Sequence, residues 1–227
     1  MKKHNLHTHT TYSDGNNTPE ELVRKAIDER LEVLGISDHG FTRKTKSLDE
    51  TTIPRYIEHL KCLRERTAGI EIKIGLEIDA LKTCGTNPQN LPFDIINKLD
   101  YVLFEDVRLP DKFDPLYRGI ESIVSIRDRL TIPVGLAHTN LYDAFYGKEE
   151  ETVKILGEND IFFELNLKYI PDIRFVFQKV MLENLKKYGV KFTIGTDVHS
   201  REDSVGKIEL AFKYLIENGL RPHEMVC

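Results

Sequence analysis

Short apolar runs alternate with amphipathic stretches along the chain, a pattern typical of repeated βα units around a parallel sheet. The apolar runs predict seven strands, at residues 3–8, 32–38, 71–78, 100–106, 132–138, 161–167 and 191–197. The amphipathic stretches predict helices near residues 19–30, 54–67, 91–98, 116–129, 149–157, 174–188 and 204–218. The first helix is the best marked, because Thr18 can cap it and Pro19 suits its first position.

The order of these units favours a closed or nearly closed barrel over an open sheet. The chain has no Gly-x-Gly-x-x-Gly turn of the kind that binds a dinucleotide in a doubly wound fold. Its 227 residues suit a single α/β barrel domain. A flavodoxin-like open sheet is the alternative. In a barrel the βα loops converge on one face, so polar residues that end different strands can share a site.

Composition and charge narrow the possible partners and the cellular location of the protein. The net charge of −5 and the isoelectric point near 5.9 give no general basic field, so a nucleic-acid partner would have to rely on a local basic patch. Cys62, Cys84 and Cys227 fit neither a disulfide framework nor a zinc finger. No apolar run approaches the ~20 residues that span a bilayer, and no signal peptide follows the N-terminal lysines. We therefore expect a cytoplasmic protein without a membrane partner.

Side chains that commonly bind metals follow five of the predicted strands. At these ends, and in the turn after the first strand, they are His7, His9, Asp14, Asp38, His39, Glu77, His138, Asp197 and His199. Residues i and i+2 of an extended segment point to the same side, so His7 and His9 can address one ion. Asp197 and His199 can do the same.

A structural interpretation competes with the metal site, because a single histidine at a strand end is more often a hydrogen-bonded structural residue. Burying so many polar groups without partners would cost several kcal/mol, which favours metal as the partner. Imidazoles and carboxylates without thiolates suit Zn²⁺, Mn²⁺ or Fe²⁺. The set exceeds the needs of one tetrahedral ion, so we expect two or three divalent ions. Such clusters generate hydroxide near neutral pH and bind phosphoryl oxygens, which predicts hydrolysis of a small phosphorylated substrate.

The segments "HTHTTYSDG", "GISDHG", "GLEID", "AHTN" and "GTDVHS" together resemble the ordered motifs of the PHP (polymerase and histidinol phosphatase) superfamily. The resemblance implies an α/β fold, a distorted seven-stranded (β/α)7 TIM-like barrel that forms one domain over residues 1–227. It also implies a trinuclear metal site and phosphoesterase activity. By motif, one ion would be held by His7, His9, Glu77 and Asp197, another by Asp14, His39 and His199, and the remaining one by His138 together with Glu77 as the bridging carboxylate.

One stretch departs from the family pattern. The family usually has a histidine after strand four, whereas "DYVLFEDV" at 100–107 has Val107 in that position. Glu105 in "VLFE" stands in the same register as Glu77 in "IGLE" and is the candidate substitute ligand. The alternative is a carboxylate at the barrel rim paired with Arg108 or another cation. Asp106 would point to the opposite face if the strand stays regular.

Binding of a substrate phosphate calls for cations beyond the metals. Arg43, Lys44 and Lys46 follow the Asp-His turn directly, and Arg201 follows "DVHS". Because arginine suits bidentate phosphate contacts, Arg43 and Arg201 are the candidate substrate-binding residues, with Arg108 as a further candidate. The competing interpretation is a solvated polar loop.

Asp38, His39 and Glu77 are the candidate catalytic residues. Asp38 would support the His39 imidazole, or would instead serve as a turn or cap residue. A metal-linked water or the Asp38–His39 pair would protonate the leaving alkoxide. Glu164 and Asn166 alternate with apolar residues and could face the barrel mouth, although a packed polar layer is favoured for Glu164. Three further histidines are not site candidates: His4, His59 and His223.

Two functions of other classes compete with the phosphoesterase. A non-catalytic PHP-like scaffold that binds protein or RNA, as the PHP-fold subunit of archaeal ribonuclease P does, is favoured by the altered strand-four motif and opposed by the remaining ligand set. An amidohydrolase-type C–N hydrolase also begins with His-x-His, but "VLFEDV" lacks the lysine expected at its fourth strand. The sequence does not separate monoester from diester substrates or predict an oligomeric state.

Overall fold

A computed structural model describes residues 1–81, 85–109, 119–166, 168 and 177–227. Within these ranges the strands are β1 (His4–Asn5), β2 (Val33–Ile36), β3 (His39–Gly40), β4 (Glu71–Ile74), β5 (Glu77–Asp79), β6 (Val102–Glu105), β7 (Val134–Leu136), β8 (Ile161–Asn166), β9 (Lys191–Gly195) and β10 (Arg221–Pro222). The α-helices are α1 (Pro19–Asp28), α2 (Ile53–Arg66), α3 (Phe93–Ile96), α4 (Ile120–Val124), α5 (Leu141–Ala144), α6 (Glu149–Glu158), α7 (Lys179–Lys187) and α8 (Glu209–Glu217).

The strands pair in parallel and form two sheets. The smaller sheet has the order β1-β2-β4, and the larger has the order β10-β9-β8-β7-β6-β5-β3. The predicted α/β fold with parallel strands is confirmed. The number of described strands differs from the seven that the sequence predicted.

The strand count differs from seven because two predicted strands are each divided. The predicted strand 32–38 ends as β2 and resumes as β3 after Asp38, and the predicted strand 71–78 divides into β4 and β5 around Gly75. The breaks lie side by side: Gly75 N–H donates to Ile36 O at 2.8 Å and Glu77 N–H donates to Asp38 O at 3.1 Å. The chain therefore passes from the smaller sheet to the larger one at both breaks. β10 is an additional strand that the sequence pattern did not predict.

Backbone hydrogen bonds also join the chain after β1 to β9 and its continuation. Leu6 N–H donates to Ile194 O at 2.8 Å, and Asp197 N–H donates to His7 O at 2.9 Å. An isolated parallel bridge pairs Thr8 with Val198. These bonds place the His-x-His segment beside the end of β9.

The predicted helices occur at their expected places, with shifted ends. Thr18 caps α1: its hydroxyl accepts the Glu21 N–H at 3.2 Å, while the Glu21 carboxylate accepts the Thr18 N–H at 2.8 Å. The predicted helix 91–98 is reduced to the four residues of α3, and α5 was not predicted. Parts of the predictions for 116–129, 161–167 and 174–188 lie outside the described residues, at 116–118, 167 and 174–176, and so does Cys84.

The strands bury apolar side chains on both faces. In β6, Val102 and Phe104 join the large core beneath the helices, whereas Leu103 joins a smaller cluster on the opposite face together with Leu6 and Phe162. Since side chains alternate along a strand, the polar residues of β5, β6 and β8 lie on the same face as the smaller cluster. The polar groups thus share a face with a small apolar cluster, along β5 and toward the ends of β6 and β8.

Two further sequence expectations concern cysteines and membranes. Cys62 and Cys227 are exposed free thiols. In the described part of the chain, no helix combines the length and the apolar character needed to cross a membrane.

Candidate metal centre

His7 and His9 end the first strand segment and point to the same side of it. Both are buried, and their Nε2 atoms are 3.0 Å apart. The His7 Nε2 atom lies 3.2 Å from Glu77 Oε1, and the His9 Nε2 atom lies 3.3 Å from Glu77 Oε2 and 3.0 Å from Asp197 Oδ1. The i, i+2 spacing thus brings both imidazoles to the same two carboxylates, as predicted.

Glu77, the first residue of β5, lies at the middle of the cluster. Its carboxylate is fully buried and also faces His39 Nδ1 at 3.1 Å and His138 Nε2 at 3.0 Å. Glu77 therefore contacts four imidazoles from three different segments. This is the arrangement expected of a carboxylate shared between neighbouring cations.

Asp14 forms a second group on the outer side of His9. The Asp14 Oδ1 atom lies 3.4 Å from His199 Nε2 and 3.9 Å from His9 Nδ1, and its Oδ2 atom lies 3.7 Å from His39 Nε2. The turn after β1 reaches back to the strand end, as the sequence indicated. Gly15 makes the tight turn feasible, because a Cβ at this position would collide with the carbonyl of His9.

Glu105, the last residue of β6, faces the cluster from the side opposite Asp197. Its Oε1 atom lies 3.6 Å from His39 Nδ1. In the pairing of β5 with β6, Glu105 lies opposite Asp79, and Leu103 lies opposite Glu77. Glu105 is therefore two residues further along the same face than the sequence comparison with Glu77 suggested. Val107, in the family's histidine position, is a buried core residue.

Four combinations of these side chains have ligand atoms within 4.8 Å of one another. They are His7, His9, Glu77 and Asp197; His9, Asp14, His39 and His199; His39, Glu77 and Glu105; and Asp79, Glu105 and Asp106. Ligand atoms bound ~2.1 Å from an ion at tetrahedral angles are about 3.4 Å apart, close to the separations in the first two combinations.

Several buried polar atoms of this cluster accept or donate no hydrogen bond in the described part of the structure. They are Asp14 Oδ1, His39 Nδ1, Glu77 Oε2 and Glu105 Oε1. Buried polar atoms in folded proteins almost always have partners, so these atoms, which belong to adjoining ligand groups that share His39, are suited to bind cations. Divalent cations fit this oxygen and nitrogen donor set.

The titration of the two strand-end histidines reflects the surrounding carboxylates. Burial alone would lower the pKa of His7, but Glu164 and Glu77 outweigh burial and raise that pKa well above its usual value. Burial likewise opposes protonation of His9, but Asp197 and Glu77 raise its pKa to about 9. Without a metal, protons on these rings therefore balance the buried negative charge. A cation binding there would displace those protons.

The pKa values of His39 and Glu105 are both shifted so that the uncharged form of each side chain is favoured. Burial lowers the pKa of His39 to about 4 despite the nearby Glu77. Burial and the charge of Glu77 raise the pKa of Glu105 to about 8. A neutral imidazole is the form that binds metals, so His39 is already in that form at neutral pH.

Glu164 on β8 supports the centre from below. Its Oε1 atom lies 2.9 Å from His7 Nδ1, and its Oε2 atom accepts the backbone N–H of His138 at 2.6 Å. Gly195 permits this contact, because a Cβ there would overlap the Glu164 carboxylate. The Asn166 side-chain amide donates to Glu164 at 3.2 Å. The sequence interpretation of a packed polar layer missed this orienting role, which the alternation of "FFELNL" could have indicated.

Asp38 supports the turn after β1 and not His39. Its two carboxylate oxygens accept hydrogen bonds from the backbone N–H and hydroxyl groups of both Thr10 and Ser13, at 2.6–3.1 Å. The expected Asp38–His39 pair is therefore wrong: the ring nitrogens of His39 face Glu77, Glu105 and Asp14. The alternative of a turn residue applies.

Three residues at strand ends adopt left-handed backbone conformations that non-glycine residues rarely use. Asp197 has φ of 51°, His138 has 29° and Asp106 has 57°. Such conformations cost about 1–3 kcal/mol each and are concentrated at functional sites. β6 does not stay regular beyond Glu105, and the Asp106 side chain turns toward Asp79 and Glu105. The sequence expected Asp106 to point to the opposite face only if the strand stays regular, and this condition is not met.

Two lysines border the cluster. Lys44 Nζ lies 2.7 Å from Asp79 Oδ2 and 3.6 Å from Glu105 Oε2 and also pairs with Asp106. On the other side, Lys168 Nζ lies 3.1 Å from Asp197 Oδ2. Sequence reasoning named Lys44 only as one cation of a polar loop and did not name Lys168 or Asp79. Asp79 lies two residues after Glu77 on the same strand face, which was the available signal.

The candidate phosphate-binding arginines are exposed or line a cleft, and their role in binding phosphate stays a prediction. Arg43 is exposed. Arg201 is exposed, 3.5 Å from Glu21, and its Nε donates to Asn16 O at 3.1 Å. Arg108 lines a cleft of about 260 Å³ that His138 also lines. The three histidines excluded from the site make other contacts: His4 with Ile194, His59 with Tyr12 and Glu20, and His223 with Met225.

Comparison with known proteins gives a family match and full-length relatives. Residues 5–106 match the PHP domain family. An uncharacterized protein of Methanocaldococcus jannaschii is 28% identical over 227 residues, which cover 97% of this chain and 91% of that protein. A probable phosphatase of a Thermoanaerobacter species, strain X514, is 28% identical over 95% of this chain and 86% of that protein.

A solved structure shares the fold over nearly the same extent. It is the crystal structure of histidinol phosphate phosphatase from Lactococcus lactis subsp. lactis complexed with zinc, L-histidinol and phosphate. It matches with a TM-score of 0.68 at 20% identity and covers 97% of this chain and 95% of its own.

Proposed function

We propose that this chain, whose resemblance to PHP-domain proteins is confirmed over residues 5–106, is a metal-dependent phosphoesterase acting on small phosphate esters. The observation that carries the proposal is the set of unpartnered buried atoms described above, which belong to Asp14, His39, Glu77 and Glu105. These residues come from four separate segments: the turn after β1, the starts of β3 and β5, and the end of β6. A full-length relative named as a probable phosphatase points in the same direction.

Two or three divalent ions, Zn²⁺, Mn²⁺ or Fe²⁺, would be shared among adjoining ligand sets. One ion would be held by His7, His9, Glu77 and Asp197, and a second by Asp14, His39 and His199. Glu105 and His138 would complete a third set with Glu77. The support is the clustering of these donor atoms and the position of Glu77 between four imidazoles.

Divalent ions bound here would supply a hydroxide nucleophile near neutral pH and offset negative charge on the phosphoryl oxygens. The chain's own residues set the geometry for this chemistry. Glu77 would hold adjoining ions at a fixed separation, and Glu164 fixes the orientation of His7 and of the loop that carries His138. The cleft beside His138, lined by Arg108, would take the remainder of the substrate.

We further propose that residues 1–227 act as one domain whose strands curve into a distorted barrel. The hydrogen bonds from Leu6 to Ile194 and from Asp197 to His7 support this arrangement, because they join the first strand to the last long one. Ligands drawn from His7 through His199 would then share one barrel mouth.

The test is hydrolysis by the purified full-length chain, stripped with a chelator and reloaded with Mn²⁺ or Zn²⁺. p-Nitrophenyl phosphate tests monoesterase activity, and bis-p-nitrophenyl phosphate tests diesterase activity. Histidinol phosphate is the first natural ester to assay, since the related structure was solved with L-histidinol and phosphate. We expect metal-dependent turnover that a His7→Ala/His9→Ala variant lacks. Equal rates in the two proteins would contradict the proposal.

Metal analysis of the same preparations tests the scaffold alternative. A phosphoesterase of this kind retains stoichiometric ions after gel filtration, whereas a scaffold that only binds protein or RNA has no need of them. Ion-free wild-type protein that shows no turnover after reloading would favour the scaffold.

A further inference from the structure

Lys44 lies in the loop after β3 and reaches three carboxylates at the edge of the candidate metal centre. Its Nζ atom lies 2.7 Å from Asp79 Oδ2 and 3.6 Å from Glu105 Oε2, and it also pairs with Asp106. About a third of the Lys44 side chain is exposed, whereas that of Asp79 is fully buried. Lys44 therefore extends its ammonium inward from the surface to a buried acidic group.

Asp79 is a fixed anchor for Lys44 and not a free ligand. Its Oδ1 atom accepts the backbone N–H of Leu81 at 2.8 Å. Its Oδ2 atom accepts the hydroxyl of Thr42 at 3.2 Å in addition to the contact with Lys44. The Thr42 hydroxyl in turn accepts the Lys44 backbone N–H at 3.2 Å. The backbone N–H and the ammonium group of Lys44 are thus both held in place relative to Asp79 on β5.

Glu105 is the carboxylate between Lys44 and the histidine cluster. Its Oε2 atom faces Lys44, while its Oε1 atom is buried 3.6 Å from His39 Nδ1 and forms no hydrogen bond. One oxygen is therefore occupied by a tethered cation, and the other is directed at the place where His39 and Glu77 converge. A carboxylate held in this way has one oxygen free to coordinate an ion.

We propose that Lys44 is a positioning residue for Glu105, and that its ammonium, anchored on Asp79, keeps Glu105 oriented to complete a divalent-cation site with His39 and Glu77. This inference rests on the proposed function. Glu105 is the member of this ligand set that β6 supplies, and the Lys44 ammonium would balance its charge when a bound ion displaces its proton. Partners of metal-ligating carboxylates typically contribute 10- to 100-fold to metal affinity.

Two other roles for Lys44 make different predictions. If the ammonium competes with a divalent ion for Asp79, Glu105 and Asp106, then removing it would strengthen metal binding. If Lys44 contacts the substrate phosphate, then removing it would raise KM at saturating metal and leave metal affinity unchanged. Each result would overturn the positioning role.

The experiment measures bound ions per chain by elemental analysis after equilibrium dialysis of the full chain against graded free Mn²⁺. The variants are Lys44→Gln, Lys44→Arg, Glu105→Gln and the double variant, with Lys61→Gln on the exposed face of α2 as the matched control. We expect Lys44→Gln and Glu105→Gln each to lower the affinity for the same Mn²⁺ ion by about 10- to 100-fold. Lys44→Arg should restore part of this affinity, and Lys61→Gln should bind as wild type does.

The double variant Lys44→Gln/Glu105→Gln tests whether Lys44 affects metal affinity through Glu105. If Lys44 acts through Glu105, then adding Lys44→Gln to Glu105→Gln causes no further loss of affinity. A further tenfold loss, or wild-type binding by Lys44→Gln, would overturn the inference. If the wild type binds ions and hydrolyses esters, and Lys44→Gln binds ions with the wild-type affinity, then only the inference about Lys44 is refuted. Wild-type protein without ions or turnover refutes the proposed function itself.

Discussion

His4 provides a pH-dependent test of how the first strand is held in the fold. Its side chain is fully buried. The His4 Nε2 atom accepts the Ile194 N–H at 2.9 Å, and its Nδ1 atom lies 2.9 Å from Lys2 O. A neutral ring with its proton on Nδ1 satisfies both contacts, whereas a protonated ring loses the bond from Ile194. Protonation therefore opposes the contact between the His4 side chain and β9.

The sign and size of the effect follow from the pKa. Burial, the largest cause, and the nearby N-terminal ammonium together lower the pKa of His4 from 6.5 to about 4, although the contact with the Lys2 carbonyl acts to raise it. The unfolded chain binds more protons between these two values, so stability is present above the unfolded pKa and is lost as the pH falls toward 4. The complete shift corresponds to roughly 3.4 kcal/mol. Between pH 7 and pH 5, the linkage relation gives a loss of about 1.8 kcal/mol.

The assay is urea unfolding of the wild type and of His4→Gln at pH 5, 6 and 7, with chelator present. Glutamine can accept the Ile194 N–H and donate to Lys2, but it does not titrate. Subtracting the two unfolding free energies removes the contributions of all other titrating groups. We expect the free energy of unfolding of the wild type, minus that of His4→Gln, to fall by about 1.8 kcal/mol from pH 7 to pH 5. A difference that stays constant with pH would refute the reasoning.

Two further predictions concern the centre itself. Removing divalent ions with a chelator should lower the thermal midpoint by about 5–11 °C for each ion lost, relative to protein in Mn²⁺ at a hundred times its Kd, because each bound ion adds ~2.7 kcal/mol to the free energy of unfolding. Superimposable calorimetric scans would contradict this. Asp38→Ala should lower the free energy of unfolding by about 3 kcal/mol, because the donors of Thr10 and Ser13 lose a buried carboxylate. Urea unfolding measures this loss, with the exposed Asp28→Ala as control, and a loss no larger than the control's would show that Asp38 does not hold the turn.

The centre could be predicted from the sequence because its geometry follows from local rules. Side chains two residues apart on a strand share a face, so His7 and His9 must approach the same partners. The carboxyl ends of parallel strands lie at one edge of a sheet, so the strand pattern by itself groups Glu77 and Asp197 with these histidines. Both inferences need only the strand positions and the direction of each strand.

The errors arose where the outcome depended on pairing between strands or on turn conformation. The register of β5 against β6 places Glu105 opposite Asp79, and no pattern within either strand specifies that pairing. The left-handed φ of Asp106 ends β6 and redirects a side chain that a regular strand would turn away. Asp38 stands next to His39 in the chain, but the donors that bind it come from the turn after β1.

The distribution of charge explains why Glu77 in particular needs cations beside it. Lys168 faces Asp197 at one side, and Lys44 faces Glu105 at the other. Glu77, between them, is buried among imidazoles, which balance its charge only by taking up protons. Burial of an uncompensated carboxylate is strongly unfavourable, so the metal-free centre must hold protons there. Divalent cations remove this requirement and leave the imidazoles neutral, which is the state in which they bind metal.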